Sequence, residues 1–257
     1  MKTIMIVLAA SFLLGSCASM EGTAGSSAAA SAAASANAAA VADAGRPQAD
    51  RDRDAVRKPL DMLTLAGVRP GTSMIEMLPG GGYFTRIFSK AVGPTGHVYA
   101  AIGNAAPAPG RPPPPVTAIA ADPAYSNVMV LTQAFTAIAA PQPVDLVWTS
   151  ENYHDLHLTR LNVDVPAVNR AVFQALRPGG LFVVVDHAAV PGAPVTVADT
   201  LHRIDPAIVR REVEAAGFVF VRQSDALHNA ADPRTIPVFD PAIRGRTDQF
   251  VLVFRRP

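Results

Sequence analysis

The feature that most constrains this chain is a short apolar run that leads into three consecutive glycines. Residues 73–78 (Ser-Met-Ile-Glu-Met-Leu) lie between the turn residues Pro70-Gly71 and Pro79-Gly80-Gly81-Gly82, and a helical pattern follows from Tyr83 to Val92. So short a run between turn signals reads as a buried strand. Strand, glycine turn and helix in that order form one unit of an α/β sheet. The glycines let the backbone approach a ligand closely, and the helix start offers free N–H donors. The spacing is not the dinucleotide fingerprint, because G-x-G-x-x-G is absent.

The alternation continues along the chain. A helix with Val56, Leu60 and Leu63 on its apolar stripe is expected over 50–66, stopped by Gly67. Strands are expected over 97–102, 127–131, 144–149, 181–187, 218–222 and 249–254, with helices over 165–176 and 206–216. The Pro-rich stretch 104–115 reads as a loop. Near-continuous apolar strands separated by helices indicate a parallel sheet covered on both faces. Ligands of such sheets bind at the carboxyl ends of the strands, so the residues just after each strand are the ones to inspect. Trp148 and Phe182 are expected in the core.

The N-terminus reads as an address. Lys2 precedes an apolar run over 4–14, which is shorter than the ~20 residues of a membrane-spanning helix and has the shape of a signal peptide. Leu14-Gly15-Ser16-Cys17 resembles the lipobox of bacterial lipoproteins, and Cys17 is the only cysteine of the chain. Residues 1–17 are therefore expected to be a lipoprotein signal with Cys17 lipidated, and export to the periplasmic face of the outer membrane follows. Membrane contact would run through that lipid alone. Residues 18–49, rich in Ala, Ser and Gly, are expected to be a disordered tether without a stable packed helix, leaving 50–257 as the domain. A lone cysteine excludes an internal disulfide framework and a Cys-cluster zinc site. The formal net charge of +1 argues against a nucleic-acid protein held by a broad basic face. No G-x-S-x-G elbow is present, which argues against a serine hydrolase.

Residues 50–257 resemble the class I S-adenosylmethionine-dependent methyltransferases. The resemblance rests on the acid within the first strand, the glycine turn and a helix opening Tyr-Phe-Thr. The helix-to-strand corner Leu176-Arg177-Pro178-Gly179-Gly180-Leu181 and the closing strand over 249–254 add to it. The motif E-x-x-P-G-G-G-Y is similar to that of a bacterial branch with several exported members, as are Asn152-Tyr153-His154-Asp155 and His202-Arg203-Ile204-Asp205-Pro206. The resemblance implies an α/β fold: a Rossmann-like seven-stranded mixed sheet with helices on both faces and the last strand antiparallel. It implies S-adenosylmethionine as cofactor, with Glu76 orienting the turn and Gly80, Gly81 and Gly82 cradling its methionine part. It matches Asp145 to an acid near the substrate-facing loop. The family's first turn glycine is Leu78 here. Its ribose-binding acid after strand two has no counterpart, and Asn104 stands nearest; its acid after strand three is replaced in the region of Gln133.

Polar residues after strands four and five complete the candidate rim. In Glu151-Asn152-Tyr153-His154-Asp155-Leu156-His157, His154 reads as a general base oriented by Asp155, with Asn152 and Tyr153 beside the substrate. The same segment reads alternatively as a helix cap, or as a metal site built on His154 and His157 with Asp155 or Glu151; no second ligand motif supports a metal, and none is assigned. His187 and His202 are expected near the pocket, with Asp205 as N-cap to Pro206. The sequence thus points to a methyltransferase with a small-molecule acceptor. The alternatives are an exported small-molecule-binding protein of that shape without catalysis, and a metal-dependent hydrolase. The oligomeric state is not readable.

Overall fold

A computed structural model describes residues 21–104, 110 and 112–257. The lipobox and Cys17 lie outside the described residues. The helices are α1 (Glu21–Val41), α2 (Gln48–Arg51), α3 (Asp54–Arg57), α4 (Pro59–Leu65), α5 (Tyr83–Val92), α6 (Pro115–Ala121), α7 (Val165–Ala175), α8 (Val197–Leu201) and α9 (Pro206–Ala215). The strands are β1 (Ser73–Met77), β2 (His97–Ala101), β3 (Val128–Leu131), β4 (Val144–Ser150), β5 (Leu176–His187), β6 (Val219–Ser224) and β7 (Gln249–Arg255).

They form one seven-stranded sheet in the order β3-β2-β1-β4-β5-β7-β6. All pairs are parallel except β5–β7 and β6–β7. Successive strand residues face opposite sides, and two cores result. Met74, Val98, Leu146, Trp148 and Val183 pack under α4, α5 and α6; Ile75, Tyr99, Val147, Phe182 and Val184 pack under α7 and α9. Both faces of the central strands are therefore apolar, as the runs without alternation required. Strand order reverses between β1 and β4, which opens a crevice at their carboxyl ends.

Two expectations need correction. The first is the tether. α1 is a packed helix, with Asn37 and Ala40 buried and Asn37 Nδ2 donating to the Val68 carbonyl at 3.1 Å. Alanine favours helix and its small side chain lets α1 lie close against α4 and α5. Its last turns are not uniform, because Asn37, Ala40 and Val41 mark one face. The second is the helix over 50–66, which is divided into α2, α3 and α4. Pro59 lacks an N–H and disfavours helical geometry at the residue before it. Lys58 accordingly sits in the left-handed region at φ 43°, and the rotation that follows leaves Val56 and Leu60 exposed while Met62 and Leu63 face the core. No helix among the described residues is long and apolar enough to cross a membrane.

Candidate active site

The crevice between β1 and β4 holds a cavity of about 160 Å³. Glu76 and Met77 of β1, the turn 78–81, Tyr83 and Phe84 of α5, and Ser150 to Asn152 at the end of β4 line it, with Arg53 and Arg57 at its mouth. The turn is held open by backbone geometry. Gly80 adopts φ 55°, and a Cβ on Gly80 or Gly81 would meet no atom within 4 Å. Those two glycines therefore present bare backbone to the cavity. Gly82 differs: at φ 77° it is the N-cap of α5, and a Cβ there would lie 2.1 Å from Ile119 Cδ1. It packs inward and does not line the cavity. Leu78 takes the left-handed region at φ 52° without being glycine, a conformation that costs about 1–2 kcal/mol. Its N–H donates to the Ala101 carbonyl at 2.8 Å, and its own carbonyl accepts from Asn152 Nδ2 at 3.1 Å. Asn152 thus stands on the rim, as expected, and fastens the turn to the end of β4.

Glu76 is buried on the cavity floor, where Thr85 Oγ1 donates to its Oε2 at 2.5 Å. Burial raises its pKa to about 7, only partly countered by the Thr85 hydrogen bond and by Arg57 and Arg86. Glu151 behaves oppositely. Burial raises its pKa, but the Arg57 guanidinium, paired with it, and His187 bring it below the usual carboxylate range. Arg46, Arg53 and Arg57 all lie over the Tyr83 ring, with 4.7 Å from Arg57 to its centroid, while Tyr83 Oη donates to Asp54 at 2.6 Å. Arg46 and Arg57 have carboxylate partners, and among the described residues Arg53 has none. A second cavity of about 390 Å³ adjoins the first and shares Arg53, Arg57 and Glu151 with it; Thr247, Gln249 and Arg246 close its far side. The arginine cluster was not legible as part of the site, because charges on a short helix ordinarily read as a solvated face.

The other expected site residues scatter. Asp145 is at the opposite end of β4, where it accepts from the Ser73 N–H at 2.7 Å and pairs with Arg177 at 2.6 Å; its place on the pocket rim is corrected. Tyr153 is corrected as well. It is buried, its hydroxyl donates to Glu212 at 2.9 Å and accepts from Asn169 at 2.8 Å, so it braces α7 and α9. Asn104 is exposed beyond β2, and Gln133 accepts from the Ala139 N–H at 2.9 Å, so neither reaches the first cavity. His187 lies beside the second cavity, 2.7 Å from Thr247 Oγ1. Asp205 caps α9 as expected. His154 and Asp155 line neither cavity. They form a separate cluster with His202, and His157 turns away to Glu212 at 3.0 Å. The pairing of His154 with His157 as metal ligands is therefore not what the structure brings together.

No protein-family model matches the sequence, and no curated protein is similar to it. Solved structures are. An S-adenosylmethionine-dependent methyltransferase from Aquifex aeolicus has a TM-score of 0.57 at 17% identity, over 80% of this chain and 93% of that one. The fold is the Rossmann-like methyltransferase fold. An S-adenosylmethionine-dependent methyltransferase from Mesorhizobium loti has a TM-score of 0.54 at 17% identity, over 79% of this chain and 100% of that one. A glycopeptide N-methyltransferase complexed with sinefungin has 0.54 at 16%, over 80% of this chain and 86% of that one.

Proposed function

We propose that this protein transfers a methyl group from S-adenosylmethionine to a small-molecule acceptor. The observation that carries this reading is the glycine turn at the carboxyl end of β1, with Gly80 and Gly81 open to a cavity at the β1–β4 reversal. The residues fit the methionine end of the cofactor. Exposed N–H groups of the turn and the unpaired Arg53 guanidinium suit an α-carboxylate. The bound cofactor would supply an activated methyl on sulfonium, displaced in line by the acceptor. The chain contributes alignment, and a base only where the acceptor must lose a proton. At about 390 Å³ the adjoining cavity falls within the range of small-ligand sites, about 300–1,000 Å³, and suits the acceptor. Glu151 stands between the two cavities, held anionic by Arg57 and tied to Gln249 Nε2 at 2.9 Å.

One observation favours the non-catalytic binding protein instead: no carboxylate lies at the end of β2, where Ala100, Ala101 and Ile102 lead to Gly103. Product analysis separates the two readings. Label from methyl-labelled cofactor should pass to a small-molecule acceptor fraction, and should do so less well with Arg53→Ala. Binding with no transfer to any acceptor would favour the second. Lipidation at Cys17 and export belong to the same proposal and rest on Leu14-Gly15-Ser16-Cys17. Cys17→Ala should abolish incorporation of a labelled fatty acid; continued labelling would remove the anchor.

A further inference from the structure

His154, Asp155 and His202 each turn one ligand atom toward a common point, with all three atoms within 4.8 Å of one another. Asp155 Oδ1 lies 3.3 Å from His154 Nε2 and 3.7 Å from His202 Nδ1. Metal–ligand bonds of about 2.0–2.1 Å at tetrahedral angles set neighbouring ligands about 3.3 Å apart, so Asp155 already stands near ligand spacing from both imidazoles, and the two histidines, within 4.8 Å of each other, would close by up to about 1.5 Å around an ion. We propose that these three side chains form a divalent transition-metal site, of the zinc type, with a fourth position open to water or a small ligand.

Three features support it independently of the methyltransferase reading. First, Asp186 is fully buried and accepts the His154 Nδ1 hydrogen at 2.7 Å. That bond orients the ring and leaves Nε2 as the ligating atom, which is the carboxylate–histidine–metal arrangement. Second, Asp155 approaches only the two imidazoles: among the described residues, no other side chain or backbone N–H donates to its carboxylate. Third, His202 sits on a fixed segment. Its neighbour Arg203 is fully buried, donating to the Ala188 and Ile236 carbonyls and pairing with Asp232 at 2.9 Å. The His202 ring packs edge-on against exposed Phe239 at 4.9 Å. Two nitrogens and one carboxylate oxygen suit borderline cations better than Ca²⁺ or Mg²⁺, which prefer oxygen. His154 is 3% exposed, but Asp155 and His202 side chains are 32% and 24% exposed, which gives an ion a way in.

The test uses the full chain without a polyhistidine tag, stripped with a chelator and titrated with Zn²⁺ against a chromophoric competitor. One Zn²⁺ per chain is expected, and Co²⁺ should give the visible spectrum of a four-coordinate site. Asp155→Ala and His202→Ala, both near the surface, should each weaken Zn²⁺ binding by about 100-fold or more. His157→Ala should leave it unchanged. Asp186→Asn should weaken it about 10–100-fold, as for other outer partners of ligating histidines. If that variant unfolds by circular dichroism, Asp155→Ala and His202→Ala still decide. Absence of stoichiometric binding, or binding kept in both of those variants, would overturn the site.

Discussion

Asp186 takes two hydrogen bonds from one residue: His154 donates its ring Nδ1–H to Oδ1 and its backbone N–H to Oδ2, each at 2.7 Å. Burial alone would lower the His154 pKa, but the Asp186 carboxylate outweighs it and holds the ring above its usual value. Burial would raise Asp186, and His154 brings it below the usual carboxylate range instead. The acid's share of stability is lost as pH falls through its depressed pKa. The histidine's share is lost as pH rises through its raised one. Asp186→Asn should therefore cost about 3 kcal/mol, as for one partner removed from a buried pair, with the loss largest between about pH 4 and 6.5 and smaller at pH 9. Urea unfolding across that range in chelating buffer checks this; a loss that is the same at every pH would contradict it.

Glu76 gives the opposite dependence. Its pKa of about 7 lies above the unfolded value of 4.5, so the folded state binds the extra proton and stability declines as pH rises from 4.5 to 7. Glu76→Gln removes the buried charge and keeps an acceptor for Thr85. It should stabilise the protein by up to about 3 kcal/mol at pH 8 and by almost nothing near pH 4.5. Thermal melts of both proteins at the two pH values read the difference directly.

Two neighbouring glycines should respond differently to alanine. At Gly80 the new Cβ meets open space, so Gly80→Ala should cost only the left-handed strain, about 1 kcal/mol. At Gly82 the same strain adds to displacement of the terminal methyl of Ile119, which can turn aside at a modest cost, and a larger loss of about 2 kcal/mol is expected. Denaturant midpoints rank the two, and equal losses would show that the turn is not held as described.

α1 should contribute to stability. Asn37→Ala leaves the Val68 carbonyl without its buried donor, a loss of about 1–3 kcal/mol. Removal of residues 1–45 should lower the melting temperature further, since Ala40 leaves the core with it. An unchanged melting temperature would mean that α1 does not pack on the domain.

The sheet was legible because its strands are apolar runs punctuated by glycine and proline, and burial on both faces leaves no other use for them. The turn was legible for the same reason. Packing of α1 was not, because alanine repeats carry no periodic contrast and one asparagine on one face decides the contact. Asp145 misled because the match came from the resemblance alone; as the second residue of a parallel strand it sits at the amino end, away from the carboxyl-end crevice. Tyr153 misled because its hydroxyl partners, Asn169 and Glu212, lie 16 and 59 residues away. The histidine cluster joins two segments, 154–155 and 202, that lie far apart in the chain, and no local spacing announces it.

Cofactor binding at the glycine turn is the central claim. Calorimetric titration of the full chain with S-adenosylmethionine, beside Gly80→Asp, tests it most directly. Aspartate tolerates the left-handed region better than most residues, so the variant should fold, but its carboxylate would stand in the cavity against the turn. Saturable one-site heat in the wild type that vanishes in a folded Gly80→Asp is the predicted result. No heat at millimolar cofactor, or equal heat in both proteins, would contradict it.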